Sequence, residues 1–173
     1  MALVKENAHA EWGATVNFKG NCISHLFMPI FTGATTITAA GTLVKNTLNF
    51  MNDNSSSVYA LPAAATSTKG DIVVVKYIAI MGAGTTHQFD TDAARFSTHS
   101  TVFLDGGTPD GNVYLYCAVP GSDHDVLTLT GTSNAGCGIG TTLTFYFDGT
   151  YWAVDGDVKS SGDGTGPAVA AFS

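Results

Sequence analysis

The chain has 173 residues, 45% of them apolar and only 12% charged, about half the charge share of an ordinary soluble domain. Its length fits one domain with a real core, and its hydrophobicity excludes a disordered chain. The formal charge is −7, and the seven Lys and Arg are scattered singly, which argues against a phosphate-binding face and so against nucleic acid or an anionic membrane as a partner.

Residues 1–12 mix charge with Ala and end on Trp12, which predicts an extended N-terminal arm. They hold no long apolar stretch, so no signal peptide is expected. Weak strand patterns follow at Ala14–Phe18, Ile23–Phe31, Ala34–Thr38, Leu43–Phe50 and Ser57–Leu61. The run Ile72–Ile80 is strongly β-branched, stops at Gly82-Ala83-Gly84 and contains Lys76. It predicts a strand and is too short to cross a bilayer as a helix. Asp92–Phe96 could hold one helical turn. Strands are then predicted at Asn112–Val119, at Asp125–Thr130 and at Thr142–Phe147. After the last, Asp148-Gly149 signals a hairpin into Thr150–Val154, because Gly supplies the positive φ of a tight turn.

No strand–helix alternation appears, so the fold class expected is all-β: a β-sandwich or β-barrel, jelly-roll-like, with extended terminal arms. The expected division is an arm at 1–12, a β-domain at 13–158 and a flexible Gly/Ser tail at 159–173 that ends in Ala168-Val-Ala-Ala-Phe172. Trp12 and Phe172 would expose apolar rings at the chain ends, which makes them the candidate assembly contacts with a neighbouring chain.

Chemistry-bearing patterns are sparse. Met81-Gly-Ala-Gly-Thr85 imitates the start of a dinucleotide fingerprint, but His87 stands at the third glycine position and no helix follows. It reads as a strand-ending turn. Gly136–Gly140 precedes a strand and reads as a loop. Cys22, Cys117 and Cys137 are odd in number and widely spaced, so they read as reduced, buried thiols and not a zinc or redox motif. The five histidines lie far apart, and no GxSxG is present. The acidic stretches Asp105–Asp110, Asp123-His-Asp125 and Asp155-Gly-Asp157 match no calcium loop and read as turns. A carboxylate pair for glycoside hydrolysis could come from distant strands, which leaves a hydrolase as a remote alternative. No catalytic residue, metal or cofactor is therefore expected. Tyr114, Tyr116, Tyr146, Tyr151 and Trp152 read first as core and second as a sugar-binding face: buried rings would favour structure, a row of exposed rings would favour sugar.

The stretch Gly136-Cys-Gly-Ile-Gly-Thr-Thr-Leu-Thr-Phe-Tyr-Phe-Asp-Gly-Thr-Tyr-Trp152, with Leu61-Pro-Ala-Ala-Ala and Lys69-Gly-Asp-Ile-Val-Val-Val upstream, resembles small virion structural proteins of tailed phages, particularly those of marine cyanobacteria. The likeness touches about residues 58–164 and leaves residues 1–57 unmatched. It implies a non-enzymatic particle component located in the virion: a capsid decoration (cement) protein bound to the major capsid protein. Assembly as a homo-oligomer is expected, with a trimer favoured. The alternative it implies is a tail or fibre component that binds a host-surface glycan.

Overall fold

The computed structural model describes residues 33–82, 84–91, 95–107, 113–131, 137–159 and 169–173, without the side chains of 105–107, 113–117 and 169. The chain divides after Ile30, and the unit described is Phe31–Ser173. Trp12, the expected arm and the strands expected at Ala14–Phe18 and Ile23–Phe31 lie outside the described residues.

The strands are β1 (Ala34–Ile37), β2 (Gly41–Thr42), β3 (Thr47–Met51), β4 (Ser57–Ala60), β5 (Ile72–Tyr77) and β6 (Thr86–Asp90). They continue with β7 (Thr101–Gly107), β8 (Val113–Ala118), β9 (Val126–Thr130), β10 (Thr142–Phe147), β11 (Trp152–Lys159) and β12 (Val169–Phe172). Two mixed sheets result, ordered β1-β3-β5-β10-β11-β7-β8 and β12-β9-β6-β4-β2. Each keeps two edge strands, so the all-β fold is a sandwich and not a closed barrel. Among the described residues no helix is long and apolar enough to cross a membrane.

From β1 to β6 the chain steps alternately between the sheets, and neighbours within each sheet run parallel. Among the described residues antiparallel hairpins appear only at β7–β8 and β10–β11. Period-two alternation decides which side chains enter the core: Leu143, Phe145 and Phe147 from β10, and Trp152, Val154 and Val158 from β11, are buried. They meet Tyr59, Phe89, Leu127 and Leu129 from the other sheet. The rings of Phe89 and Phe145, 5.5 Å apart, join the two layers.

The predicted hairpin forms with a slightly longer loop. Phe147 pairs with Trp152, the Asp148 carboxylate accepts the amides of Thr150 and Tyr151 at 2.8 Å each, and Gly149 takes φ +106°. Gly84 also has positive φ, in the turn that ends the β5 segment. Three sequence readings need correction. Leu43–Phe50 is not continuous, because Asn46 turns the chain at φ 54° before β3. Asp155-Gly-Asp157 is no turn but the middle of β11. The tail is no dangling end: β12 pairs antiparallel with β9, and Phe172 is buried, with its ring edge-on to Phe96 at 5.2 Å. Phe172 therefore packs in the core of its own chain. A tethered strand reaches that groove without the entropy cost of association.

Candidate functional site

The densest set of chemistry-bearing side chains closes one end of the sandwich. Asp53 lies in the segment that crosses from β3 to β4. Its Oδ1 accepts the Ser55 amide at 2.9 Å and the Ser55 hydroxyl at 2.6 Å. Its Oδ2 accepts Ser57 Oγ at 2.7 Å and Tyr59 OH at 2.9 Å. The Asp53-x-Ser-x-Ser spacing makes this a local turn in which short polar side chains satisfy the backbone. Tyr59 on β4 then brings the second sheet to the same carboxylate.

His87 on β6 sits beside this turn. Its Nε2 lies 2.9 Å from the Ser55 carbonyl oxygen, which can only accept, so Nε2 carries the proton. Nδ1 is then the acceptor for Tyr77 OH, 2.7 Å away at the end of β5. Tyr77 stacks on the imidazole at 5.6 Å between centroids, and Tyr59 meets it edge-on at 5.2 Å. His87, Tyr59, Tyr77 and Cys137 are fully buried, and Asp53 is nearly so.

Burial would raise the Asp53 carboxyl, but the donors from Ser55, Ser57 and Tyr59 outweigh it and hold the group at about 2. Burial lowers His87, against the opposing pull of the Ser55 carbonyl and the Asp53 charge. Burial pushes the Cys137 thiol up to about 12. Both tyrosines are raised, burial being the main cause. The cluster is thus a carboxylate with four donors, a neutral imidazole and a closed thiol. Ser, His and Asp are the residue types of a nucleophilic triad, yet every hydroxyl here donates to an internal acceptor, Asp53 or His87, while Ser55 itself is exposed. The arrangement fastens β3, β4, β5 and β6 together.

A pH dependence follows from these directions. His87 titrates below the ordinary imidazole value of about 6.5, so the unfolded chain takes up a proton first as pH falls, and stability declines below about pH 6.5. Asp53 contributes stability above its ordinary value of about 3.9, and this is lost as pH falls towards 2. The urea midpoint is expected to drop between pH 7.5 and 5, and His87→Gln is expected to flatten that slope. An unchanged slope in the variant would contradict the role given to His87.

The other sequence candidates are dispersed. His99 is exposed and His124 half-buried: His99 Nδ1 pairs with Ser97 Oγ at 3.2 Å, and His124 Nδ1 accepts the Gly121 amide at 3.0 Å. His9, His25 and Cys22 lie outside the described residues, as do the side chains of Cys117, Tyr114 and Tyr116. Among the described residues no three His, Cys, Asp or Glu gather as metal ligands. Trp152 is core, whereas Tyr146 and Tyr151 are half-buried. A shallow hollow beside Tyr151 is lined by Arg95, Ser97, His99, Ser122 and Asp148. The Arg95 guanidinium lies over the Tyr151 ring at 5.6 Å and donates to the Ser122 carbonyl.

These observations define the class of protein, a two-sheet all-β sandwich with a largely buried polar plug at one end. No family model, curated protein or solved structure matches the chain.

Proposed function

We propose that the chain is a non-enzymatic structural component of a virus particle, a decoration protein that binds the major capsid protein on the outer shell and stabilises it. The observation that carries this reading is the outer face of the five-stranded sheet. Val58, Gln88, Thr128 and Ala171 form one cross-strand row there. Thr86 and Thr130 lie on one side, and Ala60, Asp90 and Val126 on the other. Asp90 is the one charged side chain among the described residues of that face. A weakly charged surface of Thr, Gln, Val and Ala costs less to desolvate on contact than a charged one. Repeated over a symmetric shell, modest contacts become collectively strong. The commitment of Asp53, His87 and Tyr77 to internal bonds supports a structural role, as does the resemblance of Gly136–Trp152 to phage virion proteins.

Two measurements test it. Mass spectrometry of purified particles is expected to find the chain at shell-wide stoichiometry; a few copies per particle would move it to the tail. Gln88→Lys together with Thr128→Lys is expected to lower occupancy on the shell while leaving the melting temperature near wild type. Full occupancy of that variant would refute this face as the contact.

A second reading has one observation in its favour. In the hollow beside Tyr151, Asp148 spends Oδ1 on backbone amides and leaves Oδ2 for a ligand. A carboxylate, a guanidinium and a half-buried phenol suit sugar hydroxyls. Binding to a glycan array that is lost in Asp148→Ala would favour the host-glycan alternative.

A further inference from the structure

The outer face of the seven-stranded sheet carries a pattern that the shell-binding reading does not use. Across it runs one register row: Phe50 on β3 pairs with Lys76 on β5, Lys76 with Thr142 on β10, Thr142 with Asp157 on β11, and Asp157 with Phe103 on β7. All five point outward, because Met51, Val75, Leu143, Val158 and Leu104, their strand neighbours, are buried. Over these five of the sheet's seven strands the row reads aromatic, cation, threonine, anion, aromatic, symmetric about Thr142 except that the charge reverses, and its register continues to Thr36 on β1 and Cys117 on β8.

We infer that this face pairs two copies of the chain about a two-fold axis running along β10, with Lys76 of each copy against Asp157 of the other. A rotation about an axis lying along β10, between two facing sheets, carries the β5 side of one copy over the β11 side of its partner. Thr142 then faces its own counterpart, Lys76 faces Asp157 twice, and Phe50 faces Phe103 twice. Closure by such a self-complementary contact is what a two-fold interface requires. Sheets stacked face to face lie about 10 Å apart, a gap that a Lys and an Asp side chain span together.

Four further observations point the same way. Lys76 is exposed, and among the described residues it has no ion-pair or hydrogen-bond partner. Asp157 is 56% exposed and holds only the exposed Lys159 on its own strand, at 3.0 Å; its second oxygen is open to another cation. Asp155, another carboxylate of the face, is already taken by Tyr146 OH. Finally, the face is uneven in a complementary way. A shallow hollow lies between β10, β11 and β7, lined by Thr101, Phe103, Thr142, Thr144 and Asp157. Phe103, 44% exposed, stands at its rim. The two-fold operation places the Phe50 and Lys76 side of the partner over that hollow.

Five strands at about 4.8 Å spacing and five residues at about 3.3 Å rise give a footprint on the order of 400 Å² per copy. That is about 800 Å² for the pair, below the range of stable specific interfaces, so the pairing is weak and transient, and the charge pairs set its register more than its strength. It is independent of whether the other face binds a capsid.

Sedimentation equilibrium of the full chain tests this, from about 10 μM to about 1 mM. Wild type is expected to pass from monomer to dimer in that range. Lys76→Glu alone and Asp157→Lys alone are each expected to weaken pairing tenfold or more, because each places two like-charged contacts in the interface. The double variant Lys76→Glu/Asp157→Lys restores opposite charges and is expected to recover dimerisation to within about threefold of wild type. Melting temperatures at dilute concentration, near wild type for all three, show that the fold is intact. A wild type that stays monomeric, or forms trimers, overturns the inference. So does a double variant as weak as the singles, or single variants that pair like wild type.

Discussion

Replacing Trp152 by alanine is expected to cost about 3–5 kcal/mol of folding stability, the range for emptying a buried aromatic site. Trp152 opens β11 and is fully buried. Its ring lies 5.2 Å from that of Phe147 across the hairpin, and its Nε1 donates to the Pro62 carbonyl at 3.2 Å, ninety residues away in sequence. Its own carbonyl accepts the Ser97 amide at 2.8 Å. The side chain therefore joins the hairpin to the segment that crosses from β4 to β5. Alanine removes the ring contacts and leaves a buried carbonyl without its donor, and such an orphan adds about 1–3 kcal/mol on its own. For a domain of this size the loss corresponds to a drop in melting temperature of about 6–20 °C. Trp152→Phe keeps most of the volume but not the donor, so it is expected to fall between the two. Denaturant titration of both variants measures the split; an alanine variant that melts like wild type would remove Trp152 from the core argument.

The parts of the fold that were legible are those fixed by neighbours in sequence. Thr142–Phe147 alternates threonine or tyrosine with large apolar residues, and Asp148-Gly149 announces the reversal, so β10, its turn and the burial of Phe145 and Trp152 could all be read directly. What escaped depends on residues far apart. β6 reads Thr-His-Gln-Phe-Asp, and one of its two inward positions is His87, a polar residue that hides the alternation. His87 is tolerable inside only because Ser55 and Tyr77, thirty-two and ten residues away, satisfy both ring nitrogens. β7 carries Phe103 outward beside inward Val102 and Leu104, which blurs its period. The parallel order β1-β3-β5 leaves no turn signal, because each step crosses to the other sheet. The polar plug had one local mark, Asp53-x-Ser55-x-Ser57, the spacing of a turn built on short side chains. Its partners Tyr59, Tyr77 and His87 had none.

Gly156→Val is the second large effect expected, a loss of about 3 kcal/mol at the upper end of overpacking costs. The sequence Asp155-Gly-Asp157 suggests a turn, whose glycine would tolerate change if the backbone allowed it. In β11 it is instead an inward position held between two neighbours: Gly156 pairs with Leu143 on β10 and with Val102 on β7. A Cβ placed on it would come within 2.7 Å of Leu143 Cδ2 and 3.1 Å of both Val102 methyls. Glycine in a strand interior is ordinarily a weakness, and it marks a close approach by another group. Here the approaching groups are two core side chains that fill the volume a third would need. The penalty is therefore steric and comes from the pairing, not from an unusual backbone angle, which separates it from Gly149, where φ is +106° and the nearest atoms belong to the flexible Lys69 side chain. A double-mutant cycle distinguishes the two causes. Leu143→Ala alone creates a cavity and destabilises by about 2–5 kcal/mol. Combined with Gly156→Val it is expected to cost less than the sum of the singles by 1 kcal/mol or more, because the new methyls enter the space that Leu143 leaves. Denaturation midpoints of the four proteins measure the coupling, and simple additivity would mean that Leu143 is not what excludes a side chain at position 156.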